Sequence, residues 1–454
     1  MYRNIVLQVF IIEMNIYALS SGRPPSGIAI IRISGTDVLE ISKKITKEKD
    51  IKSKYINYCK FYDPSDHTLI DEGLLLWFPK PDSFTGDNLA EFHVHGSNAV
   101  INKFLNVLSK ESNCRLAEPG EFTKIAFQNN KIDLLKAESI SDLIHAETEL
   151  QREQAIKLTQ GNASNYYNEL REKLIKSLSY IEAKIDFAED DLPEKVLKEV
   201  HKSITGIHHD IQKILEDNKI GEKIRDGFKV SIIGDVNAGK SSLLNLLSKR
   251  EVAIVSEEEG TTRDIIEVFL NVDGYPIILA DTAGIREAKN EVEKKGISLA
   301  LDKSKEADLK IIMIDNSSKV INNKIKDLIN KDSIVLLNKS DIDDKQNHKF
   351  DTDTILVSVK DNKNINILIK KIKDKLSNKF TSNNNTLITR QRHRAKLNEC
   401  LKEIDKFMNK DHNKDIELAA EDLRMATRHL GSIVGKVDVE EILGSIFKDF
   451  CIGK

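Results

Sequence analysis

The segment GDVNAGKS (234–241) carries the strongest chemical signal in the chain. It follows an apolar run that ends at Ile233 and precedes the helix-forming stretch SSLLNLLSK. Glycines allow successive backbone N–H groups to converge on phosphate oxygens at the start of a helix. In this pattern Lys240 reaches the β- and γ-phosphates, and the Ser241 hydroxyl binds magnesium. The spacing predicts a phosphate-binding loop of a nucleotide site rather than a simple glycine turn.

Two further segments predict which nucleotide is bound. DTAG (281–284) follows an apolar run, where Asp281 can hold the magnesium shell and the Gly284 N–H can contact the γ-phosphate. NKSD (338–341) follows another apolar run. Its Asp341 carboxylate can accept hydrogen bonds from both N1–H and the exocyclic amine of guanine. Adenine does not offer these donors at this edge. The order of the segments and their positions at strand ends therefore predict GTP.

GTTRD (260–264) lies between the phosphate loop and DTAG, where GTPases carry a switch loop. Thr262 is the natural second hydroxyl ligand of magnesium. Ras-like enzymes orient the attacking water with a glutamine directly after the DTAG glycine, but Ile285 occupies this position and cannot orient water. Other residues must orient the water and neutralise the developing charge, and Asn237 and Glu293 are the candidates by location.

The positions of these motifs require strands that alternate with helices. Between about 227 and 378, runs such as KVSIIG, IILADT, KIIMID and SIVLLN alternate with helical segments, which predicts a mostly parallel, doubly wound sheet. Over roughly 131–220 the apolar residues recur every three or four positions, which predicts helices. Examples are Leu170, Leu174, Leu178, Ile181 and Ile185. Before about 127, short apolar runs and turn residues indicate a mixed α/β domain.

Helical patterns on both sides of 227–378 leave two arrangements open. The chain can contain three domains in series, or an α/β domain inserted into one helical domain. Insertion is plausible because the entry and exit points of a compact domain often lie close together. Periodicity alone does not choose between the two.

The overall charge argues against a global attraction to nucleic acid or lipid. The chain of 454 residues has 69 Lys plus Arg against 72 Asp plus Glu, so local patches or a partner must supply phosphate contacts if it binds RNA. Its cysteines, Cys59, Cys114, Cys400 and Cys451, have no C-x-x-C spacing. This spacing argues against a zinc site and a disulfide framework, and it favours a reducing cytoplasm.

The opening residues contain a short apolar run at 5–12, far below the roughly 20 residues needed to span a bilayer. A signal peptide is the weaker alternative. Met14 is a second possible start, which would make residues 1–13 an N-terminal extension. No other segment is apolar enough to predict a membrane crossing.

Taken together, the motifs resemble the MnmE (TrmE) family of the TrmE-Era-EngA-like GTPase superfamily. The resemblance rests on NAGKSSLLN, GTTRD, DTAGIRE and NKSD, and on the flanking GIAIIRISG, SFTGDNLAEFHVHGS, EPGEFTKIAFQNNKIDLLKAESISDLI and FCIGK. It covers nearly the whole chain after Met14. It implies a multidomain α+β and α/β fold, in which a G domain is inserted into an all-α helical domain. The implied segments are an extension at 1–13, an α/β folate-binding domain at 14–128, helical parts at 129–226 and 379–454, and a Ras-like G domain at 227–378.

The resemblance also implies the residues that bind GTP and metal ions. By resemblance, Ser241 and Thr262 bind magnesium. The potassium ligands are Asn237, Ser256, Glu258 and Thr261. Glu293 is the catalytic residue that positions the water. The implied GTP-binding residues are Asn237, Ala238, Gly239, Lys240, Ser241, Ser242, Ser256, Glu257, Glu258, Glu259, Gly260, Thr261, Thr262, Asp281, Thr282, Ala283, Gly284, Asn338, Lys339, Asp341, Ser358, Val359 and Lys360.

The implied ligand of the first domain is 5,10-methylene- or 5-formyl-tetrahydrofolate. The matching residues are Arg32, Glu91, Lys131 and Lys454. Arg and Lys suit the carboxylates of the folate glutamate tail, and Glu91 can accept from the amino group of the pterin ring. Without the resemblance, each would be interpreted as an ordinary surface or strand-end residue.

The final segment DFCIGK places Cys451 three residues before Lys454, whose identity excludes a prenylation box. The preceding VDVEEILGSIF predicts a helix, with Asp438 and Glu441 as a possible capping box, that would hold this tail in a fixed place. We therefore predict that Cys451 is a nucleophile presented to the folate site. A structural or spectator cysteine is the alternative.

By resemblance, the chain acts with an FAD- and NADH-dependent partner of the MnmG (GidA) type. Together they would add a carboxymethylaminomethyl or aminomethyl group to C5 of the wobble uridine of certain tRNAs. The resemblance implies a cytoplasmic homodimer, a heterotetramer with that partner and no membrane attachment. The rival hypothesis is a regulatory GTPase of ribosome assembly or RNA binding, without one-carbon chemistry. A third, a GTPase acting at membranes, lacks an anchor or a basic amphipathic helix.

Overall fold

The computed structural model describes residues 14–186, 194–235, 237–250, 253–254, 267–281, 307–318, 321–342, 350, 352–379, 387–411, 414–437, 440–448 and 450–454. The chain forms two compact units. One consists of Met1–Ser141 together with Val434–Lys454, and the other is Asp142–Ile433.

The elements follow in chain order. The strands are β1 (Asn15–Leu19), β2 (Ser26–Ser34), β3 (Ile56–Tyr62), β4 (Leu69–Phe78), β5 (Leu89–Gly96), β6 (Cys114–Leu116), β7 (Phe228–Gly234), β8 (Ala253–Ile254), β9 (Glu267–Val272), β10 (Tyr275–Asp281), β11 (Leu309–Asp315), β12 (Ser333–Asn338) and β13 (Asp353–Leu356). The helices are α1 (Val38–Thr46), α2 (Asn98–Lys110), α3 (Glu121–Gln128), α4 (Leu134–Ile144), α5 (Glu149–Thr159), α6 (Asn162–Asp186), α7 (Glu194–Leu215), α8 (Ile220–Asp226), α9 (Lys240–Arg250), α10 (Asn323–Lys326), α11 (Ile365–Lys379), α12 (Gln391–Met408), α13 (Ile416–Val434) and α14 (Glu440–Lys448).

The first unit contains a six-stranded sheet in the order β3-β4-β5-β2-β1-β6. Strands β1 and β6 are parallel, and the other neighbours are antiparallel. Side chains alternate between the two faces of a strand, so each strand contributes residues to both the buried face and the opposite, second face of the sheet. The buried face includes Phe61 and Phe92, which pack with Phe104 of α2 at ring-centroid distances of 4.9 to 5.7 Å.

Helix α14 brings the end of the chain back to the first unit. Phe447 and Phe450 are buried with Ala137 of α4 in one apolar cluster. Gly120, just before α3, approaches this helix so closely that an added Cβ would lie 2.6 Å from the carbonyl oxygen of Phe447. The predicted helix is therefore present, while the predicted cap at Asp438 lies outside the described residues.

The second unit contains a seven-stranded sheet in the order β13-β12-β11-β7-β10-β9-β8. The five strands from β13 to β10 are parallel, whereas β9 and β8 add an antiparallel edge. Near-continuous apolar runs are buried on both faces, as the six fully buried residues of β12 illustrate. The predicted mostly parallel, doubly wound sheet is confirmed, while its antiparallel edge was not predicted from the sequence.

Helices from both sides of the doubly wound sheet pack together in the second unit. Helix α7 contacts α6, which precedes it, and α12, which follows the sheet in sequence. The buried Tyr167 of α6 donates its hydroxyl hydrogen to the carbonyl oxygen of Leu387 at 3.0 Å. Arg394 of α12 bonds the Glu222 carboxylate at 2.7 Å and the Asp217 carboxylate at 2.6 Å. The helices thus form one assembly into which the sheet domain is inserted.

Among the described helices, none is both long enough and apolar enough to cross a membrane.

Candidate functional site

The nucleotide motifs converge at the carboxyl ends of the parallel strands. Gly234 at the end of β7 lies beside Met313 of β11, and Asp315 at the end of β11 lies beside Asn338 of β12. Parallel α/β sheets bind ligands at this edge. The fold therefore gathers the predicted segments in one place, although they are far apart in sequence.

The phosphate-binding loop has a backbone that only glycine can complete. Gly239 has φ +99°, and an added Cβ would lie 2.5 Å from Nδ2 of Asn338. Lys240 Nζ donates to the carbonyl oxygens of Gly234 at 2.9 Å and Asp235 at 2.8 Å. Its ammonium therefore lies over the loop at the N-terminus of α9, where the helix favours anions. This arrangement fits the phosphates of a nucleotide.

Asn338 connects the phosphate loop to the two segments that the sequence predicts to lie near the base. Its side chain is buried, and its Nδ2 donates to the carbonyl oxygen of Ala238 at 2.8 Å. Its Oδ1 accepts from the backbone N–H of Val359 at 3.1 Å. One amide therefore fixes the relative positions of GDVNAGKS, NKSD and the segment 358–360. The sequence predicted Asn338 as a binding residue but not as this connection.

Asp341 is the carboxylate that the sequence predicts to recognise guanine. Its side chain is exposed, and a hydrogen bond with Ser358 lowers its pKa, with the positive charges of Lys360 and Lys339 acting in the same direction. The group is therefore ionised at neutral pH and can only accept hydrogen bonds. Lys339 forms an ion pair with Asp315 at the end of β11, which holds the NKSD segment against the sheet.

Part of the predicted nucleotide site lies outside the described residues. These residues are Ser256, Glu257, Glu258, Glu259, Gly260, Thr261, Thr262, Thr282, Ala283, Gly284 and Glu293. The backbone of Asp281 ends β10 beside Ile232 of β7, which places it next to the phosphate loop. Asn237, with φ +62°, and Ser241 are described and exposed at the loop. Across the described part of the chain, no group of three or more His, Cys, Asp or Glu residues could hold a metal ion.

A second polar site lies on the sheet of the first unit. Arg32 of β2 and Glu91 of β5 are directly paired across the sheet. The guanidinium donates from Nε at 2.9 Å and from Nη2 at 2.7 Å to the same carboxylate oxygen, Oε1. The rings of Phe84 and Phe122 lie 5.9 and 5.6 Å from the guanidinium carbon. This partly buried pair is held by aromatic contacts that the sequence analysis did not predict.

The tail 451–454 docks directly at this pair. The carbonyl oxygen of Gly453 accepts from the Ser20 hydroxyl at 2.8 Å and from Arg32 Nη1 at 3.3 Å. Ile452 forms an isolated antiparallel bridge with Pro119, and the Gly120 N–H donates to the carbonyl oxygen of Cys451 at 3.4 Å. The tail is therefore fixed by backbone contacts, as predicted from the helix that precedes it.

Lys454 interacts electrostatically with the same pair and with Cys451. Burial and the positive charge of Arg32 lower the pKa of Lys454, while Glu91 and Cys451 act in the opposite direction. Cys451 is exposed. The structure therefore brings together four predicted residues: Arg32, Glu91, Cys451 and Lys454.

Lys131, the remaining predicted folate residue, contacts the loop between β4 and β5. Its Nζ donates to the carbonyl oxygen of Pro81 at 2.9 Å, and its Cγ lies 3.1 Å from the position of a Cβ added to Gly86. The same loop carries Phe84, which lies over Arg32. Lys131 thus supports one side of the polar site. The turn-rich segment PDSFTGDN was the available sequence signal for this loop.

Gly453→Ala should detach the tail. Gly453 has φ +96°, and an added Cβ would lie 2.3 Å from the carbonyl oxygen of Leu19, a backbone atom that cannot easily move. We expect the Gly120 amide to exchange its hydrogen at least about 10-fold faster, because its acceptor leaves with the tail. Hydrogen exchange read by mass spectrometry measures this rate.

Gly22→Ala is the matched control, since nothing lies within 4 Å of a Cβ added there. It should leave the exchange rate of Gly120 unchanged. An unchanged rate in Gly453→Ala as well would contradict the docking of the tail through Gly453.

Known proteins resemble this chain along almost its entire length. Residues 134–451 match the family model of the MnmE helical domain, and residues 15–131 match that of the GTP-binding protein TrmE N-terminus. A tRNA modification GTPase MnmE from Pelagibacter ubique (strain HTCC1062) is 56% identical over 461 aligned residues, which cover 97% of this chain and 100% of that protein. Proteins of the same name from Rickettsia bellii (strain RML369-C) and Rickettsia canadensis (strain McKiel) are each 44% identical over 97% of this chain and 99% of theirs.

Proposed function

The chain belongs to the MnmE family of tRNA modification GTPases, and we propose that it adds a one-carbon unit from folate to the wobble uridine of certain tRNAs. The product is a carboxymethylaminomethyl or aminomethyl group at C5, in which folate supplies the methylene carbon and glycine or ammonium, respectively, supplies the amine. GTP hydrolysis drives the conformational cycle. The observation that carries the proposal is the contact of the tail with the Arg32–Glu91 pair, because it delivers a thiol and an ammonium group to one polar site.

In the proposed GTP site, Asp341 selects guanine and Lys240 binds the β- and γ-phosphates. Ser241 and Thr262 hold magnesium, while Asn237, Ser256, Glu258 and Thr261 hold potassium. Both ions supply positive charge to the phosphoryl oxygens. Glu293 orients the attacking water. The loop geometry at Gly239 and the exposed Asn237 and Ser241 support this assignment.

In the proposed folate site, Glu91 accepts hydrogen bonds from the amino edge of the pterin. Lys131 attracts the carboxylates of the glutamate tail, while Arg32 holds Glu91 in place and Lys454 lies beside this pair as a further folate-binding residue. The folate, as its 5,10-methylene or 5-formyl derivative, supplies the carbon when bound. Cys451 is the proposed nucleophile. Its exposure supports this role, because a nucleophile must be accessible to its substrate.

The proposed assembly is a cytoplasmic homodimer that forms a heterotetramer with an MnmG (GidA)-type protein. That partner binds FAD and uses NADH. The near balance of 69 basic and 72 acidic residues supports a division of labour in which the partner provides much of the contact with tRNA phosphates.

Isothermal titration with 5-formyltetrahydrofolate tests this proposal on the full chain and on a chain that ends at Phe450. The full chain should bind, and removal of 451–454 should weaken binding about 10-fold or more, because Lys454 is lost and Arg32 loses its contact with Gly453. GTP hydrolysis by both forms controls for folding of the second unit. No folate binding by the full chain would instead favour the regulatory GTPase without one-carbon chemistry.

A further inference from the structure

The second face of the sheet in the first unit carries two adjacent rows of paired residues. One row contains Leu76, Glu91 and Arg32, and the neighbouring row contains Leu74, His93 and Ile30. Residues directly opposite each other on antiparallel strands share a face of the sheet. His93 therefore lies on the same face as the Arg32–Glu91 pair, between two apolar neighbours.

His93 has a buried polar atom that the fold does not satisfy. Its Nε2 is buried and has no hydrogen-bond partner among the described residues. The nearest charged atom is Oε2 of Glu91, at 3.7 Å. This distance is too long for a direct hydrogen bond. Because buried polar atoms are nearly always bonded, an unsatisfied one on a ligand-binding face points to a partner that binds there.

Glu91 has an oxygen oriented in the same way. Arg32 donates twice to Oε1 of Glu91, while Oε2 is the oxygen that faces His93. A nitrogen atom can lie about 2.9 Å from each of two acceptors that are 3.7 Å apart. A primary amine attached to a ring has two hydrogens to donate, one to each acceptor. The two side chains are therefore spaced to bind one such amine together.

We propose that His93 is a further folate-binding residue, whose Nε2 accepts a hydrogen bond from the 2-amino group of the pterin while Glu91 Oε2 accepts the other. This proposal rests on the folate site proposed above. It requires the neutral tautomer that carries its proton on Nδ1. The groups that face this position are Arg32 from β2, Glu91 from β5 and Lys454 from the tail, with the apolar Ile30 and Leu74 on either side.

The test compares two ligands on variants of the full chain by isothermal titration. The ligands are 5-formyltetrahydrofolate and its analogue with hydrogen in place of the 2-amino group. His93→Leu should weaken binding of the amino ligand about 5- to 10-fold, as expected for one lost hydrogen bond. It should leave binding of the desamino ligand unchanged. His93→Gln keeps a side-chain acceptor and should recover most of the affinity.

His95→Leu is the matched control, because His95 lies two residues along the same strand and its ring is bonded to Asp71 at 2.9 Å. It should change neither affinity. Thermal unfolding of each variant checks the fold, which leucine at position 93 suits because its neighbours are Leu74 and Ile30.

The other outcomes separate this proposal from its premise. Equal weakening of both ligands in His93→Leu would overturn the contact, since His93 would then act only by holding Glu91. An unchanged affinity in His93→Leu, with binding lost in Glu91→Gln, would overturn the role of His93 and leave the folate site in place. No binding of folate by the unsubstituted chain would overturn both.

Discussion

Asp341→Asn is expected to weaken GTP binding about 100-fold or more while leaving the fold intact. The carboxylate offers two acceptors to N1–H and the amine of guanine, and charged hydrogen bonds are the stronger kind. Asparagine replaces one acceptor with a donor, which faces a guanine donor. Since the Asp341 side chain is exposed, the substitution leaves no buried group unpaired. Fluorescence titration with a labelled GTP analogue measures the change.

The same variant should gain affinity for xanthosine triphosphate, whose oxygen replaces the amine of guanine and can accept from the asparagine amide. Asp332→Asn is the matched control, since this exposed aspartate lies at the opposite end of the same strand, β12. It should leave both affinities unchanged. Equal affinity of Asp341→Asn and the unsubstituted chain for GTP would show that NKSD does not select the base.

Lys240→Met is expected to reduce the turnover number for GTP hydrolysis about 100- to 1,000-fold. Methionine keeps an unbranched apolar stem but removes the ammonium that the loop holds at the start of α9. A positioned charge of this kind stabilises the negative charge that develops on the phosphoryl oxygens. Release of inorganic phosphate under saturating GTP and magnesium measures the effect.

Lys249→Met makes the same change on the same helix, at an exposed position near its end. It should retain the turnover number of the unsubstituted chain. If Lys240→Met also retained this turnover number, the account would be contradicted. In the unsubstituted chain, Lys240 would then keep its hydrogen bonds to the Gly234 and Asp235 carbonyl oxygens and would not bind the phosphates.

The sequence predicted the doubly wound sheet because its signals are local, whereas its insertion into the helical domain was implied by the resemblance. The mostly apolar strands that end at Gly234, Asp281 and Asn338 lead directly into the nucleotide motifs that begin at these residues. It did not predict the antiparallel edge of β9 and β8, because a strand's direction depends on its pairing partner rather than on its own residues.

The periodicity of apolar residues does not predict contacts between segments that are distant in sequence. The bond from Asn338 to the carbonyl oxygen of Ala238 spans 100 residues, and that from Ser20 to Gly453 spans 433. Nothing in the local pattern around Gly453 indicates that a backbone oxygen lies where its side chain would be. The resemblance identified Arg32 and Glu91, but the orientation of Oε2 toward His93 required three-dimensional coordinates.

The two compact units also depend on such contacts. The structure divides the chain after Ser141 and after Ile433. The boundaries between the folate-binding, helical and G domains stay predictions. The helices and the doubly wound sheet share the second unit because α5 and α8 contact β10. Ile220 and Ile224 of α8 are buried in the same apolar cluster as Phe228 of β7.

Transfer of a labelled carbon from folate to tRNA tests the central claim most directly. The chain would be combined with an MnmG-type partner, FAD, NADH, glycine, GTP, magnesium, potassium, unmodified tRNA and methylene-tetrahydrofolate labelled with carbon-13 at its one-carbon unit. Mass spectrometry of the digested tRNA should then find the label in the group added at C5 of the wobble uridine. The label should be absent when the Cys451→Ser variant is used in place of the unsubstituted chain. A modified uridine without the label, or equal labelling by Cys451→Ser, would contradict the account.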